Sequence, residues 1–258
     1  MLYYLHVLQE WFPPMRVFHY ITVRAVAGAG TAFLISFVLG PWLIERLRRL
    51  NIGQYERKEE APPLYALHSK KEGTPTMGGI LIVVAIVVSS LLWTVPGNRF
   101  VLLVLATLCA MAAIGFWDDY TKVALKRSKG LTARRKVLLQ FAWVLIVTGL
   151  LLVLPETREK ARNLMVPFHK GPVILDIGIA GVVIFVAAVM IGASNAVNLT
   201  DGLDGLAIGC TSSVALSYLV MSYVSGHLKF AEYLLVPYVP GSGELAVFCG
   251  CLLGACLG

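Results

Sequence analysis

The sequence predicts an all-α integral membrane protein with about six complete transmembrane helices, a partial seventh and its N-terminus outside. Hydrophobic residues make up 57% of the 258 residues and charged residues only 14%, whereas soluble domains carry about 25% charged residues. Apolar runs long enough to cross a bilayer recur along the chain, and helices are expected in them because an open sheet cannot satisfy its backbone in lipid. We therefore expect a single polytopic membrane domain over residues 1–258.

The expected spans are separated by short polar segments. A spanning helix needs about 20 mostly apolar residues. The candidates lie at 22–42, 77–95, 100–117, 137–154, 174–192 and 206–224, with the partial seventh starting near 245. Small residues that allow close helix packing occur in the first and seventh spans. They are Gly28, Gly30, Gly250, Gly254 and Gly258.

The orientation follows from the basic residues. Fourteen of the 22 Lys and Arg residues occur in segments 43–76, 118–136 and 193–205, and eight occur in 1–24, 96–99, 155–173 and 225–244. Because cytoplasmic loops carry the excess of Lys and Arg, we expect the first set to face the cytoplasm. The basic residues form no single patch, so the net charge of +7 does not indicate nucleic acid as a partner.

The first unusual polar segment, residues 68–79, reads HSKKEGTPTMGG. Lys71 and Thr76 belong to a basic stretch and a small-residue turn in which backbone amides and hydroxyls could approach an anion closely. The alternative is a basic membrane anchor followed by an ordinary helix start at Pro75.

The second segment begins with Asp118 and Asp119 at the inner end of the third span. Adjacent carboxylates at a membrane border are costly unless they bind a cation or are hydrated, so the pair is a candidate base or metal site. Lys122 and Lys136 belong to a cationic stretch suited to phosphates. The alternative is a loop whose basic residues only anchor it.

The third segment, residues 195–205, reads NAVNLTDGLDG and contains no Lys or Arg. Asn195, Asn198, Asp201 and Asp204 give it a density of hydrogen-bonding groups that solvation alone does not explain. Asp201 and Asp204 would share a face if the stretch were helical. The alternative is a polar turn.

The five cysteines lie in or beside apolar runs. We interpret them as small apolar residues within membrane helices. A disulfide or zinc site formed by Cys249, Cys251 and Cys256 is the alternative.

Together, TPTMGG, DDY and NAVNLTDGLDGLA, in this order and at these spacings, resemble the polyprenyl-phosphate N-acetylhexosamine-1-phosphate transferases. The HxxKxGTPTMGG form is similar to the phospho-N-acetylmuramoyl-pentapeptide transferase (translocase I) branch. The resemblance implies transfer of phospho-MurNAc-pentapeptide from UDP-MurNAc-pentapeptide to undecaprenyl phosphate, which yields lipid I and UMP with Mg²⁺. It also implies a bacterial inner membrane, a cytoplasmic active site, a homodimer, and a family pattern that continues past residue 258 with further spans, a third acidic residue and a histidine-rich loop.

The resemblance also implies residue roles. Asp118 and Asp119 are expected to be catalytic and to bind the metal, with Asp118 acting as the base on the lipid phosphate or, alternatively, an aspartate acting as a covalent nucleophile. The expected substrate contacts are Lys71, Thr76, Lys122, Lys136, Asn195, Asn198, Asp201 and Asp204.

Two other functions are consistent with these motifs. A sister enzyme that transfers GlcNAc phosphate shares the acid pair and the NxxDGxDG pattern. A membrane transporter is the less favoured alternative, because acids on an ion path are expected in mid-span and here they cluster at span ends.

Overall fold

The protein folds as a bundle of apolar helices with one small β-hairpin. The computed structural model describes residues 1–49, 78–124, 130–166, 171–201 and 205–258. Two 3₁₀ helices, Leu2–Glu10 and Pro13–His19, precede the bundle. The α-helices are α1 (Ile21–Arg49), α2 (Gly79–Trp93), α3 (Arg99–Ala124), α4 (Ala133–Val153), α5 (Pro155–Arg162), α6 (Gly178–Thr200), α7 (Leu206–Ser225), α8 (Leu228–Tyr233) and α9 (Glu244–Leu257).

The predicted all-α membrane fold is confirmed. Five of the described helices, α1, α3, α4, α6 and α7, are long and apolar enough to cross a bilayer. The other two expected spans are shorter in the described residues, with 15 residues in α2 and 14 in α9. Helix α2 stops at Trp93 because Pro96 follows closely and Gly97 turns the chain with a φ of +84°. A proline disfavours the helical conformation at the residue before it.

Three spans extend further at their C-terminal ends than we expected. Helix α1 continues to Arg49, α3 continues to Ala124 and α6 continues to Thr200. Asn195 and Asn198 thus lie on α6 and not in the loop that we expected at 193–205. Asp118 and Asp119 therefore lie on a helix and not in the loop that we expected to begin at residue 118. This matters for the site, because a helix fixes the relative direction of side chains three and four residues apart.

The bundle has two polar ends, which we name by a buried residue at each. The Arg24 end comprises the starts of α1, α3, α6 and α9 and the ends of α2, α4 and α7, together with α5, the β-hairpin and α8. Ion pairs and hydrogen bonds tie these segments together, including Arg99–Glu156 at 3.3 Å and Asn98 Nδ2 to the Gly241 carbonyl at 3.0 Å. The Asp118 end comprises the ends of α3 and α6 and the starts of α4 and α7. The alternation of spans expected from the sequence thus agrees with the contacts.

A short β-hairpin lies beside α5 at the Arg24 end. Strands β1 (Leu164–Met165) and β2 (Pro172–Ile174) pair antiparallel, with Leu164 opposite Ile174. The Arg162 side chain bridges to Asp176, which follows the hairpin. A hydrogen bond from the Gly178 amide and the Arg162 guanidinium hold the pKa of the Asp176 carboxyl below its usual value.

The most tightly packed part of the bundle is the crossing of α1 and α9. A Cβ on Gly250 would lie 2.6 Å from the Ala25 carbonyl oxygen, and one on Gly254 would overlap the Ala29 carbonyl. These glycines follow the small-residue spacing that lets membrane helices approach backbone to backbone. The predicted role of the glycines in α9 is therefore confirmed, and a Cβ on Gly28 would likewise lie 2.8 Å from Cys251 Sγ. A Cβ on Gly30 would meet no atom of the described residues within 4 Å, so Gly30 does not share this role.

The core of the bundle is formed by α1, α2, α3 and α9. Cys249 and Cys251 are buried in it beside Ala32 and Ile86. They serve as apolar packing residues, as the sequence indicated.

A buried ion pair also joins α1 to α9. Arg24 is 2% exposed and Glu244 is 7% exposed. Two guanidinium nitrogens of Arg24 donate to the two Glu244 carboxylate oxygens, each at 2.7 Å, and the Val95 amide donates to the same carboxylate at 2.9 Å. Glu244 of α9 is thus held to α1 and also to the turn that follows α2.

Candidate active site

The acid pair lies near the end of α3, with Asp118 buried and Asp119 half-exposed. Asp118 Oδ1 accepts a hydrogen bond of 2.7 Å from the Leu131 backbone amide, which belongs to the turn before α4. Asp118 Oδ2 faces the Lys122 ammonium at 2.8 Å. Both oxygens of this carboxylate therefore have defined partners.

Lys122 bridges the two acids. Its Nζ lies 2.8 Å from Asp118 Oδ2 and 2.8 Å from Asp119 Oδ1. The spacings of three and four residues bring all three side chains to one face of α3, so a single ammonium serves both carboxylates. One negative charge is left over, and Lys122 still has 39% of its side chain exposed. The group can therefore receive a further cation and can contact an anion through Lys122.

The donor set fits magnesium that is shared with a substrate. Carboxylate oxygens are hard ligands, and Mg²⁺ is usually held by one or two carboxylates together with substrate phosphates and water. The described residues contain no group of three or more His, Cys, Asp or Glu side chains arranged to hold a metal. Asp118 and Asp119 would thus form part of a coordination shell and not a closed protein cage.

A polar cluster connects α4 to α6 close to this end. Gln140 is 1% exposed and donates through Nε2 to Ser194 Oγ at 3.1 Å. Its Oε1 accepts from Asn195 Nδ2, also at 3.1 Å, and the same nitrogen of Asn195 donates to the Ile191 carbonyl at 2.8 Å. In this structure the Asn195 amide holds two helices together, and its role as a substrate contact stays a prediction.

Gln140 and Ser194 hold α4 against α6, and we did not single them out from the sequence. A glutamine within an apolar span is itself a signal, since polar side chains in membrane helices bond across to a neighbouring helix. Its partners 54 and 55 residues away could not be read from the pattern.

The end of α6 presents exposed polar groups. Asn198 and Asp201 are exposed, and Asp201 ends the helix with its amide bonded to the Val197 carbonyl at 3.1 Å. Helix α6 stops at Thr200, so the helical face proposed for Asp201 and Asp204 does not extend through Asp201. Asp204 lies outside the described residues.

The remaining predicted contacts are only partly described. Lys136 is half-buried in the first turn of α4. Lys71 and Thr76 lie outside the described residues. Among the residues that the structure describes, the acid pair is brought together with Lys122, and no hydrogen bond or ion pair joins that group to Lys136 or to the polar residues of α6.

Two surface cavities differ in character. An apolar groove of about 510 Å³ lies along the first turns of α4, lined by Ala133, Arg134, Val137, Leu138 and Phe141. It begins two residues after Leu131, the residue that contacts Asp118. The other cavity, of about 440 Å³, lies at the Arg24 end between α5 and Asp176 and is separate from the acid pair.

The chain is similar to known proteins along its whole length. Residues 101–258 match the family described as Glycosyl transferase family 4, and residues 71–83 match signature 1 of phospho-N-acetylmuramoyl-pentapeptide-transferase. A phospho-N-acetylmuramoyl-pentapeptide-transferase of Methylacidiphilum infernorum is 47% identical over 100% of this chain and 70% of its own length. Proteins with the same name from Koribacter versatilis (45% identical, 96% of this chain, 68% of that protein) and Opitutus terrae (42%, 100% and 69%) are also similar.

Proposed function

We propose that this chain, which belongs to the phospho-N-acetylmuramoyl-pentapeptide transferase family, transfers phospho-MurNAc-pentapeptide from UDP-MurNAc-pentapeptide to undecaprenyl phosphate. The products are lipid I and UMP. The observation that carries the proposal is the Asp118, Asp119 and Lys122 group at one end of a membrane bundle, in a chain with 42–47% identity to enzymes of that name.

The group suits phosphoryl transfer because it combines positive and negative charge. Two phosphate-bearing substrates repel each other, so cationic groups must offset that repulsion at the point of transfer. Lys122 supplies one such group and is exposed enough to contact the diphosphate. A magnesium ion held by Asp118 and Asp119 would supply further positive charge between the phosphates.

Asp118 is the residue to which we assign the base. Its Oδ1 is engaged by the Leu131 amide and its Oδ2 by Lys122. Oδ2 takes up the proton of the lipid phosphate when Lys122, which keeps Asp119 as a partner, turns to the diphosphate. Asp119, which is more exposed, leaves Oδ2 without a partner among the described residues and is suited to metal binding. Recovery of a phosphosugar covalently attached to an aspartate, from enzyme given the UDP donor alone, would show the nucleophilic route instead.

The substrate contacts are assigned by position in the family pattern. Signature 1 covers residues 71–83 and so includes Lys71 and Thr76, which we place near the nucleotide-sugar. We assign Lys122 and Lys136 to the diphosphate, and Asn195, Asn198, Asp201 and Asp204 to the nucleoside end. The apolar groove on α4, with Arg134 at its edge, offers a place for the polyprenyl chain of the acceptor.

The cellular setting follows from the same assignment. The donor is water-soluble and the acceptor is a lipid, so the reaction must occur where a membrane surface meets the cytoplasm. We propose the bacterial inner membrane, with the Asp118 end on the cytoplasmic side, where the basic residues are in excess. We also propose a homodimer, by resemblance to the family.

The experiment is an assay of UMP release by the purified protein in lipid nanodiscs with undecaprenyl phosphate and Mg²⁺. We expect release with UDP-MurNAc-pentapeptide, little with UDP-GlcNAc, and none after chelation of the metal. Release with UDP-GlcNAc alone would identify the sister GlcNAc-phosphate transferase. In a parallel assay with the protein in sealed vesicles, uptake of the donor without UMP release would identify a transporter and would contradict the proposal.

A further inference from the structure

Gly130 and Leu131, which come just before α4, lie directly against the Asp118 carboxylate. Leu131 donates its backbone amide to Asp118 Oδ1 at 2.7 Å, and Asp118 is only 9% exposed. The two residues are 13 positions apart, so the contact joins the residues before α4 to the end of α3. A hydrogen bond from a backbone amide to a charged carboxylate is stronger than a neutral one.

Gly130 permits this approach by lacking a side chain. A Cβ at this position would overlap Asp118 Oδ1 and would lie 2.8 Å from both the Asp118 carbonyl oxygen and Lys122 Cε. The carboxylate and the lysine could rotate away, but the backbone carbonyl could not.

We propose that Gly130 and the Leu131 amide are positioning residues for Asp118. Gly130 and Leu131 fix the plane of the Asp118 carboxylate through Oδ1, so that Oδ2 is held beside Lys122, the group that contacts the diphosphate in the proposed reaction. This inference rests on the proposed function, because it assigns the turn a part in the same reaction. Groups that are held in the productive geometry before substrate binds contribute to rate, and small displacements of them lower it.

The first test is Gly130→Ala, with Gly115→Ala as the matched control. Gly115 lies on α3 about one turn before Asp118, and a Cβ there would meet no atom of the described residues within 4 Å. We expect kcat to fall about 10- to 100-fold in Gly130→Ala, the range that loss of a charge-assisted hydrogen bond gives. KM for UDP-MurNAc-pentapeptide should change little, and Gly115→Ala should keep the wild-type kcat. Equal kcat in the two variants would overturn the proposal.

The second test removes only the hydrogen-bond donor. Incorporation of the α-hydroxy acid analogue of leucine at position 131 replaces the amide N–H by an ester oxygen and leaves the side chain unchanged. We expect the same fall in kcat as in Gly130→Ala. Combining the two changes should lower kcat little further, because both act on one contact. Losses that multiply in the combined variant would mean that Gly130 acts in another way.

The third test does not depend on activity. Hydrogen exchange at the Leu131 amide should be faster in Asp118→Ala and in Gly130→Ala than in the wild type and in Gly115→Ala. Unchanged exchange in Asp118→Ala would show that the contact does not form and would overturn the positioning role. If the wild-type protein releases no UMP but the amide is protected as expected, the proposed function fails while the contact stands.

Discussion

Replacing Asp118 by asparagine separates the charge of the carboxylate from its place in the fold. The amide oxygen of asparagine can still accept the Leu131 N–H, so the contact with the turn before α4 is retained. The amide nitrogen then faces the Lys122 ammonium in place of Oδ2. Lys122 keeps Asp119 as a partner, and 39% of its side chain is exposed, so the free energy of unfolding should fall by only about 0–1 kcal/mol.

The effect on rate should be much larger. A positioned general base contributes about 10²–10⁴ in rate, which corresponds to about 3–5 kcal/mol of transition-state stabilisation. We therefore expect kcat for UMP release to fall at least 100-fold while the thermal unfolding midpoint changes little. The measurement is UMP release with UDP-MurNAc-pentapeptide and undecaprenyl phosphate, together with thermal unfolding of the same sample.

Asp176→Asn is the matched control. Asp176 also pairs with a cation, Arg162, but it lies at the Arg24 end. We expect this variant to keep the wild-type kcat, because the loss of an exposed ion pair away from the acid pair does not touch the reaction. If Asp118→Asn retains kcat within about threefold of this control, the Asp118 carboxylate is structural and the assignment of the base is wrong.

Three further predictions concern the bundle. Glu244→Gln should lower the free energy of unfolding by about 3–5 kcal/mol, because it leaves a buried guanidinium without its counter-charge, whereas Glu45→Gln, at an exposed pair, should change it by at most about 0.5 kcal/mol. Equal unfolding midpoints in detergent would contradict this. Gly254→Val should lower the free energy of unfolding by at least about 1–3 kcal/mol, because the valine side chain would overlap a backbone carbonyl of α1. An unfolding midpoint equal to that of the wild type would show that α1 and α9 can separate freely. In a background without native cysteines, a cysteine at Ser128 should react with a membrane-impermeant reagent only from the cytoplasmic side and one at Leu175 only from outside; the reverse would invert the orientation.

Much of the fold could be predicted because it depends on local sequence. Apolar length sets the spans, and Pro96 with Gly97 sets the end of α2. The association of Lys122 with Asp118 and Asp119 also follows from helical spacing once the helix is known to continue past residue 118. Our sequence prediction ended that span at residue 117, because hydropathy falls at the first charged residue. The helix itself continues to Ala124.

The contacts that join distant segments could not be predicted in this way. Arg24 was counted among the basic residues of the outer segments, yet it is buried against Glu244, which is 220 residues away. The Leu131 contact and the Gln140 cluster have the same origin, since each depends on how a turn or a helix crossing places residues that are far apart in the chain. A single sequence holds no periodic signal for such pairs.

The described ion pairs at the two ends of the bundle differ in how completely each carboxylate is compensated. At the Arg24 end, Glu244, Glu156 and Asp176 each pair with an arginine of their own. At the Asp118 end, one lysine serves two carboxylates, so a negative charge remains beside a lysine that is still partly exposed. Charges at a membrane border are costly unless something offsets them, so an arrangement with an excess acid is stable where a mobile cation or a substrate completes it. The ion pairs at the Arg24 end are therefore closed, structural pairs, whereas the Asp118, Asp119 and Lys122 group keeps one excess negative charge. Under the proposed function, a metal ion and the substrate phosphates would complete this group.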